Sequence, residues 1–244
     1  MSSASRLYLL PNSIGSAAVP VSPECYVTPM MRNVCAAVKV IFAEDLKSVR
    51  RLFRTCGYTG DFSELEILLL NEHTHNSQYQ EMLDLLIKSG AGALVSDAGI
   101  PCVADPGSDL VAMAHERGIE VVPMSGPSSI VLTLAASGLG GQRFNFNGYL
   151  PKDSNERRKK IKQMELELGK GITQIFMDTP YRNLQVLEDL FAVCRKTVML
   201  CIGCEVTTDK GFVLTKSIDE WMQLKPDLNK RPVIFALGLR ESIH

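Results

Sequence analysis

The most constraining feature of the sequence is a strand–loop–helix unit at residues 93–111. An apolar run of strand length ends at Ser96, a loop rich in Gly and Pro follows, and the apolar spacing from Ser108 onward is helical. In an open parallel sheet, ligands bind at the carboxyl ends of the strands, so this loop is a candidate binding loop. Gly99 permits close approach to the backbone, and Asp97 adds a fixed negative charge.

The chemistry of this loop favours a ligand with a cationic or hydroxyl-rich face. Carbonyl groups and one carboxylate suit such a ligand better than a bare phosphate, which would require amides and a lysine. The alternative is that Asp97 and Asp105 serve only as a turn former and a helix cap.

Two further loops of small residues follow predicted strands. Residues 12–16 come after the strand that ends at Pro11, and residues 125–129 come after the strand at 118–123. The second of these also fits a helix N-cap with Pro in the first turn. The repetition of such loops along one sheet edge favours a shared pocket.

Composition limits the classes of protein that fit. With 244 residues, 45% of them hydrophobic, the chain can bury a sizeable core, and its formal net charge of -1 gives no global signal for nucleic acid. Seven cysteines without regular spacing argue against a disulfide framework, and Cys201 and Cys204 are interpreted as buried structural thiols. The sequence shows neither a secretory signal nor an apolar run of bilayer length, so we expect a cytoplasmic protein and no membrane contact.

Polar residues follow two other predicted strands. Glu44 and Asp45 end the strand at residues 38–42, and residues 71–76 follow the strand at 67–70. His73, His75 and Glu72 are residue types that can ligate a metal. Because no further ligand from a distant part of the chain accompanies the two histidines, the segment favours a polar loop or a substrate contact. No metal is expected.

Two helices carry clusters of positive charge. In the helix after Asp45, three arginines alternate with apolar positions and are interpreted as a solvated face: Arg50, Arg51 and Arg54. The second cluster lies at residues 152–162 and is either a solvated helix face or the best local patch for a phosphate backbone.

Alternation of strands and helices continues to residue 237, which predicts an α/β fold with two successive α/β domains. The strand at residues 144–151 ends in a hinge that precedes the charged segment. We place the domain boundary there, with an N-terminal domain at residues 1–148 and a C-terminal domain at residues 149–244.

Four motifs share one order and spacing with a known family. They are Leu-Val-Ser-Asp-Ala-Gly-Ile-Pro at residues 94–101, Asp-Pro-Gly at 105–107, Val-Pro-Met-Ser-Gly-Pro-Ser-Ser at 122–129 and Asn-Gly-Tyr-Leu-Pro at 147–151. Together they resemble the tetrapyrrole methylase superfamily, and most closely its branch of small-subunit ribosomal RNA (cytidine-2'-O)-methyltransferases. The resemblance implies a homodimer that binds S-adenosylmethionine (SAM) in a cleft between two α/β domains.

The resemblance also implies which residues contact the cofactor. By position they are Pro11, Asp97, Ala98, Ile100, Ser128, Ser129, Phe176, Met177, Pro232 and Val233. The sulfonium, protonated amine and ribose of SAM complement carbonyl groups and the Asp97 carboxylate. The first loop departs from the pattern, because residues 11–17 read Pro-Asn-Ser-Ile-Gly-Ser-Ala where the ribosomal RNA branch normally has Pro-Thr-Pro-Ile-Gly-Asn-Leu.

The implied reaction is methylation of a ribose 2'-hydroxyl of small-subunit ribosomal RNA. Methyl transfer from a sulfonium is an in-line displacement that depends on positioning, and a general base would help a poorly nucleophilic hydroxyl. The candidate bases are Glu44, Asp45, Glu72 and His73, and the candidate RNA contacts are Lys152, Arg157, Arg158 and Lys159. The alternatives are methylation of a tetrapyrrole or another small molecule, and a SAM-binding module without catalysis.

Overall fold

The computed structural model describes residues 5–15, 21–71 and 73–240. The chain divides into two compact units, Met1–Ser128 and Ser129–His244, and each unit contains one five-stranded sheet with helices packed against it. The predicted class, two successive α/β domains, is confirmed. Among the described residues, no helix is long and apolar enough to span a membrane.

The first unit contains a fully parallel sheet. Its strands are β1 (Arg6–Leu10), β2 (Val40–Ala43), β3 (Glu66–Leu69), β4 (Ala91–Val95) and β5 (Glu120–Pro123). Its helices are α1 (Pro29–Ala37), α2 (Leu46–Thr55), α3 (Asn76–Ser89) and α4 (Ser108–Glu116). The strand order is β3-β2-β4-β1-β5, and every neighbouring pair is parallel. All five carboxyl ends therefore lie at one edge of the sheet.

Apolar residues fill both faces of this sheet, as expected when successive side chains of a strand point to opposite faces. Ile41 packs in the core cluster that includes residues of α1 and α2, whereas its neighbour Phe42 packs in the cluster that includes residues of α3 and α4. Helices on both faces leave the loops at the strand ends as the accessible part of the sheet.

The second unit contains a mixed sheet. Its strands are β6 (Phe144–Tyr149), β7 (Thr173–Met177), β8 (Met199–Cys204), β9 (Phe212–Ser217) and β10 (Val233–Gly238), in the order β6-β7-β10-β8-β9. Its helices are α5 (Ser129–Ser137), α6 (Ser154–Leu168), α7 (Asn183–Val193) and α8 (Ile218–Leu224). Only the β6–β7 pair is parallel. Cys201 and Cys204 are fully buried in β8, as predicted for structural thiols.

The boundary between the units lies after Ser128 and not after Gly148, where the hinge motif had placed it. The reason is the packing of α5, whose apolar residues Ile130 and Leu134 are buried against the second sheet. The following strand, β6, pairs with β7 of that same sheet. The helix and the strand therefore belong to the second unit.

A buried ion pair connects α6 to α7. Arg157 is only 3% exposed, and its Nε donates to Oδ2 of Asp189 at 2.7 Å. Its Nη1 donates to the backbone oxygens of Pro151 and Lys152 at 3.1 and 3.0 Å. The prediction that Arg157 contacts RNA is therefore wrong, because this guanidinium is buried and its donors bind groups of the protein.

Replacing Asp189 by Ala should strongly destabilise the second unit, because it leaves the Arg157 charge buried without a partner. We expect the free energy of unfolding to fall by about 3–5 kcal/mol. Urea unfolding, followed by the fluorescence of the single tryptophan, Trp221 of α8, measures this change. The matched control is Glu156→Ala, which breaks an exposed pair with Lys159 and should cost less than about 1 kcal/mol. Equal losses in the two variants would contradict this role of Asp189.

Candidate functional site

The loops after β1 and β4 are joined at the carboxyl edge of the first sheet. The Asn12 amide donates to the Gly99 oxygen at 2.9 Å, and the Gly99 amide donates to the Asn12 oxygen at 3.1 Å. The Asn12 side chain also donates to the Ser96 oxygen at 3.1 Å, and the Ser96 hydroxyl donates to the Gly99 oxygen at 2.6 Å. These bonds fix the geometry of the loop that carries Asp97.

The loop after β5 packs against the start of the loop after β1. A Cβ atom at Gly126 would lie 2.2 Å from Cγ of Pro11, so only glycine permits this approach. Gly99 has a φ of +75°, which also favours glycine, and a Cβ there would lie 3.6 Å from the backbone oxygen of Pro127. The structure thus brings together the predicted contact residues Pro11, Asp97, Ala98 and Ile100, and half-buried Ser128 follows the β5 loop as the last residue of its unit.

Three carboxyl groups lie near one another at this edge. Burial, with the negative charges of Glu44 and Asp97, raises the pKa of Asp105 to about 7. Oδ1 of Asp97 and Oδ2 of Asp105 are buried, and neither has a hydrogen-bond partner within the part of the chain that the structure describes. The helix-cap interpretation of Asp105 is wrong, because α4 begins after Gly107, with no side chain capping it.

This arrangement fits a ligand that donates hydrogen bonds or carries positive charge. A buried acceptor without a partner costs about 1–3 kcal/mol, and a ligand donor that reaches it removes that cost. A protonated amine would also reduce the repulsion among the three carboxyl groups. The observed acceptor groups therefore agree with the amine and ribose hydroxyls of SAM and disfavour a bare phosphate.

The candidate bases lie in different surroundings. Glu44 is half-buried at the end of β2, and its charge acts on Asp105. Asp45 instead caps α2, since its Oδ2 accepts a hydrogen bond from the Ser48 amide at 3.0 Å. Desolvation acts to raise the pKa of Asp45, but the hydrogen bonds from Ser48 outweigh it and hold this pKa below its usual value. His73 is exposed in the loop after β3, and Glu72 lies outside the described residues.

The loop after β3 leads directly into helix α3. His75 is the N-cap residue of α3, and its amide donates to Oε1 of Gln78 at 2.9 Å. Within residues 5–15, 21–71 and 73–240, no group of three or more His, Cys, Asp or Glu side chains is placed to hold a metal ion.

The predicted contacts in the second unit share one end of its sheet. Met177 pairs with Ile234, so the end of β7 lies beside the start of β10, where Pro232 and Val233 are found. The Phe176 ring is fully buried and stacks on Phe235 at 5.4 Å, so its side chain belongs to the core. Val233 is also buried, whereas Met177 is half-buried and Pro232 is exposed. Ser129 is the first residue of α5.

The basic cluster of α6 is largely compensated by acidic residues. The Arg158 Nε donates to Oδ1 of Asp189 at 2.6 Å, and Lys159 pairs with Glu156 at 2.8 Å. Lys152 is exposed just before the helix. With Arg157 buried, this cluster offers less free positive charge than its sequence indicates.

Sequence reasoning missed two residues of the site. Asn12 connects two loops, and its only signal is its place directly after a strand that ends at Pro11. Asp105 was considered only as a turn former or a cap. Its signal is the Asp-Pro-Gly motif in the same loop as Asp97, but the approach of Glu44 from another strand requires the fold.

Comparison with known proteins identifies relatives that are all methylases. The sequence model of the tetrapyrrole (corrin/porphyrin) methylases matches residues 17–220. The ribosomal RNA small subunit methyltransferase I of Escherichia coli O157:H7 is 32% identical over 227 residues, covering 93% of this chain and 74% of the relative. The protein of that name from Vibrio cholerae is 32% identical over 242 residues, covering 97% of this chain and 78% of the relative.

Solved structures show the same fold at low sequence identity. The methyltransferase CobJ aligns with a TM-score of 0.61 and 17% identity, covering 98% of this chain and 97% of that chain. A uroporphyrin-III-C-methyltransferase from Thermus thermophilus aligns with a TM-score of 0.55 and 15% identity, covering 96% and 94% of the two chains. These likenesses concern the fold alone.

Replacing Asp105 by Asn should stabilise the protein more at pH 8 than at pH 5. With a pKa of about 7, folded Asp105 keeps its proton at pH values where the unfolded chain has released it. The stability of the wild type therefore falls as the pH rises toward 7, and the amide removes this penalty. We expect a relative gain on the order of 1–2 kcal/mol between pH 5 and pH 8, reduced by the partial exposure of the carboxyl.

Urea unfolding at the two pH values measures this difference. The matched control is Glu81→Gln, which alters an exposed acid of α3 and should give the same change in stability at both pH values. A gain for Asp105→Asn that is independent of pH would show that this carboxyl titrates normally.

Proposed function

Because the chain belongs to the tetrapyrrole (corrin/porphyrin) methylase family and is a SAM-dependent methyltransferase, we propose that its methyl acceptor is a ribose 2'-hydroxyl of small-subunit ribosomal RNA. The names of the relatives support this acceptor, since proteins 32% identical over most of the chain are called ribosomal RNA small subunit methyltransferase I. The choice of the ribose 2'-hydroxyl as the methylated group is based on the motif resemblance.

We place the cofactor at the carboxyl edge of the first sheet. The observation that carries this proposal is the buried Oδ1 of Asp97, which has no partner among the described residues and lies in a loop held rigid by Asn12 and Gly99. Asp97 would accept from the protonated amine, and the backbone of Pro11, Ala98 and Ile100 would line the site. The remaining contacts rest on resemblance: Ser128, Ser129, Phe176, Met177, Pro232 and Val233.

When bound, SAM supplies a methyl group activated by the adjoining sulfonium. The residues of the chain have two tasks, to orient the acceptor and to receive its proton. We favour Glu44 as the proton acceptor, because it is half-buried at the end of β2 and its charge acts on Asp105. Burial and the charges of Glu44 and Asp97 raise the pKa of Asp105 to about 7, so Asp105 is a second carboxyl group at this edge that is suited to hold a proton at neutral pH.

The proposal also includes the setting in which the enzyme works. We propose a homodimer in the cytoplasm, on the basis of the motif resemblance and of the ribosomal RNA methyltransferases among the relatives. Lys152, Arg158 and Lys159 stay in the proposal as exposed phosphate contacts, although two of them have acidic partners. Light scattering at micromolar concentration checks the dimer, and a monomer mass would contradict it.

Replacing Asp97 by Asn should weaken SAM binding. The amide keeps the shape of the side chain but removes the charge that would pair with the cofactor amine, so we expect roughly 10- to 100-fold lower affinity. Isothermal calorimetry with SAM measures this loss. The matched control is Asp109→Asn, which removes an exposed carboxylate from the first turn of α4 and should leave affinity unchanged. Equal affinity of wild type and Asp97→Asn would remove Asp97 from the site.

The acceptor is tested by incubating the protein with labelled SAM and two substrate pools, small ribosomal subunits and total small metabolites. We expect label in small-subunit RNA at a ribose oxygen, identified by nuclease digestion and mass spectrometry. Label in the metabolite pool alone would favour a small-molecule acceptor, and SAM binding without transfer to either pool would favour a binding module.

A further inference from the structure

Helix α2 presents a stripe of positive charge on its exposed side. Its cations lie at positions i, i+3, i+4 and i+7, which share one helix face. They are Lys47, Arg50, Arg51 and Arg54, and all four are exposed. We call this set the α2 cationic face. The residues between them are buried and hold the helix against the sheet: Ser48, Val49, Leu52 and Phe53.

Among the described residues, the cations of the α2 cationic face form no ion pair with a carboxylate. The helix itself contains no Asp or Glu, and within the described part of the chain no carboxylate lies within 4.0 Å of a guanidinium nitrogen of Arg50, Arg51 or Arg54. Two carboxylates lie in the neighbourhood, because the charge of Lys47 acts on Asp45 and the charge of Arg54 acts on Asp61. Both carboxylates accept bonds from backbone amides and form no ion pair with the face. Asp45 accepts from Ser48 at 3.0 Å, and Asp61 accepts from Ser63 at 2.9 Å.

Helix α6 provides the opposite case. Four of its five cations have carboxylate partners, at Asp189, Glu156 and Glu165, the first of which lies on a different helix. The whole chain carries a formal net charge of -1, so a stripe of four cations without an ion-paired carboxylate among the described residues is a local excess. Helix faces that contact only solvent commonly carry both positively and negatively charged side chains, as α6 does.

Two arginines of the face are held in place by an aromatic ring. The guanidinium of Arg54 lies 4.6 Å from the centre of the Phe62 ring, and that of Arg50 lies 5.9 Å from it. Nη1 of Arg54 also donates to the Tyr58 oxygen at 2.6 Å. Such contacts reduce the entropy that the side chains lose when they bind a ligand, and guanidinium groups are well suited to phosphate oxygens.

We propose that the α2 cationic face binds the phosphate backbone of the RNA acceptor. This inference rests on the proposed function and adds a docking surface to it. The face extends for about 10 Å at 1.5 Å per residue, so more than one phosphate can be contacted. Helix α2 begins at Leu46, after its N-cap residue Asp45, at the carboxyl edge that carries Asp97. Phosphates bound there position the strand near that edge without reading its sequence.

The test variant is the triple substitution Lys47→Gln, Arg50→Gln and Arg51→Gln, which keeps Arg54 because it also bonds to Tyr58. The probe is an unmethylated transcript of small-subunit ribosomal RNA, with binding measured between 0.05 and 0.5 M salt. Each lost phosphate contact should reduce the slope of log affinity against log salt by about 0.7, and the triple variant should bind roughly 10- to 100-fold more weakly at 0.1 M salt.

The matched control removes the same charge elsewhere, with Lys88→Gln, Lys170→Gln and Lys196→Gln, three exposed positions outside the face. It should keep the wild-type salt slope, and both variants should bind SAM as the wild type does. Equal RNA affinity and salt slope in the two triple variants would overturn the α2 proposal while RNA methylation by the wild type still stood. A wild type that neither binds nor methylates the transcript or the small subunit would overturn both proposals.

One further arm distinguishes RNA from other anionic partners. Vesicles of phosphatidylserine and phosphatidylcholine are offered to the wild type and to the test variant. We expect no vesicle binding by either protein. Vesicle binding that is lost in the test variant, together with unchanged RNA binding, would assign the face to a lipid surface and contradict the proposal.

Discussion

The candidate site depends on the position of β1 between β4 and β5 in a parallel sheet. This pairing places three loops at one edge, and the reciprocal hydrogen bonds between Asn12 and Gly99 then fix two of them together. The third loop reaches the same place because Gly126 has no side chain to collide with Pro11. The backbone is therefore organised before any ligand arrives, and Asp97 is held at a fixed place within it.

That rigidity explains how unfavourable polar groups persist at this edge. Asp97 and Asp105 each keep a buried oxygen without a partner among the described residues, and Glu44 adds a third carboxyl group nearby. A flexible loop would turn these groups toward water. A loop that is fixed by its neighbours retains them, and the cost is recovered when a ligand donates to them.

Much of the fold follows from the sequence because its signals are local. The apolar run before Ser96 is strand β4, and the spacing from Ser108 is helix α4, since both depend on residues close together in the chain. The electrostatics do not follow in this way. The partner of Arg157 is Asp189 on another helix, and the pKa of Asp105 depends on Glu44 from another strand, so neither effect is visible without the fold. The two basic helices differ in part through such a distant residue, because Asp189 of α7 binds both Arg157 and Arg158 of α6. Among the described residues, no carboxylate forms an ion pair with the α2 cationic face.

The central claim is that the edge carrying Asp97 and Asp105 receives the cofactor. A crystal structure of the protein with S-adenosylhomocysteine, the product that keeps the cofactor amine and ribose, tests it most directly. We expect the amine within hydrogen-bond distance of the Asp97 carboxylate and the ligand against the loop at residues 96–101. A ligand bound away from this loop, with Oδ1 of Asp97 and Oδ2 of Asp105 still without partners, would contradict the account.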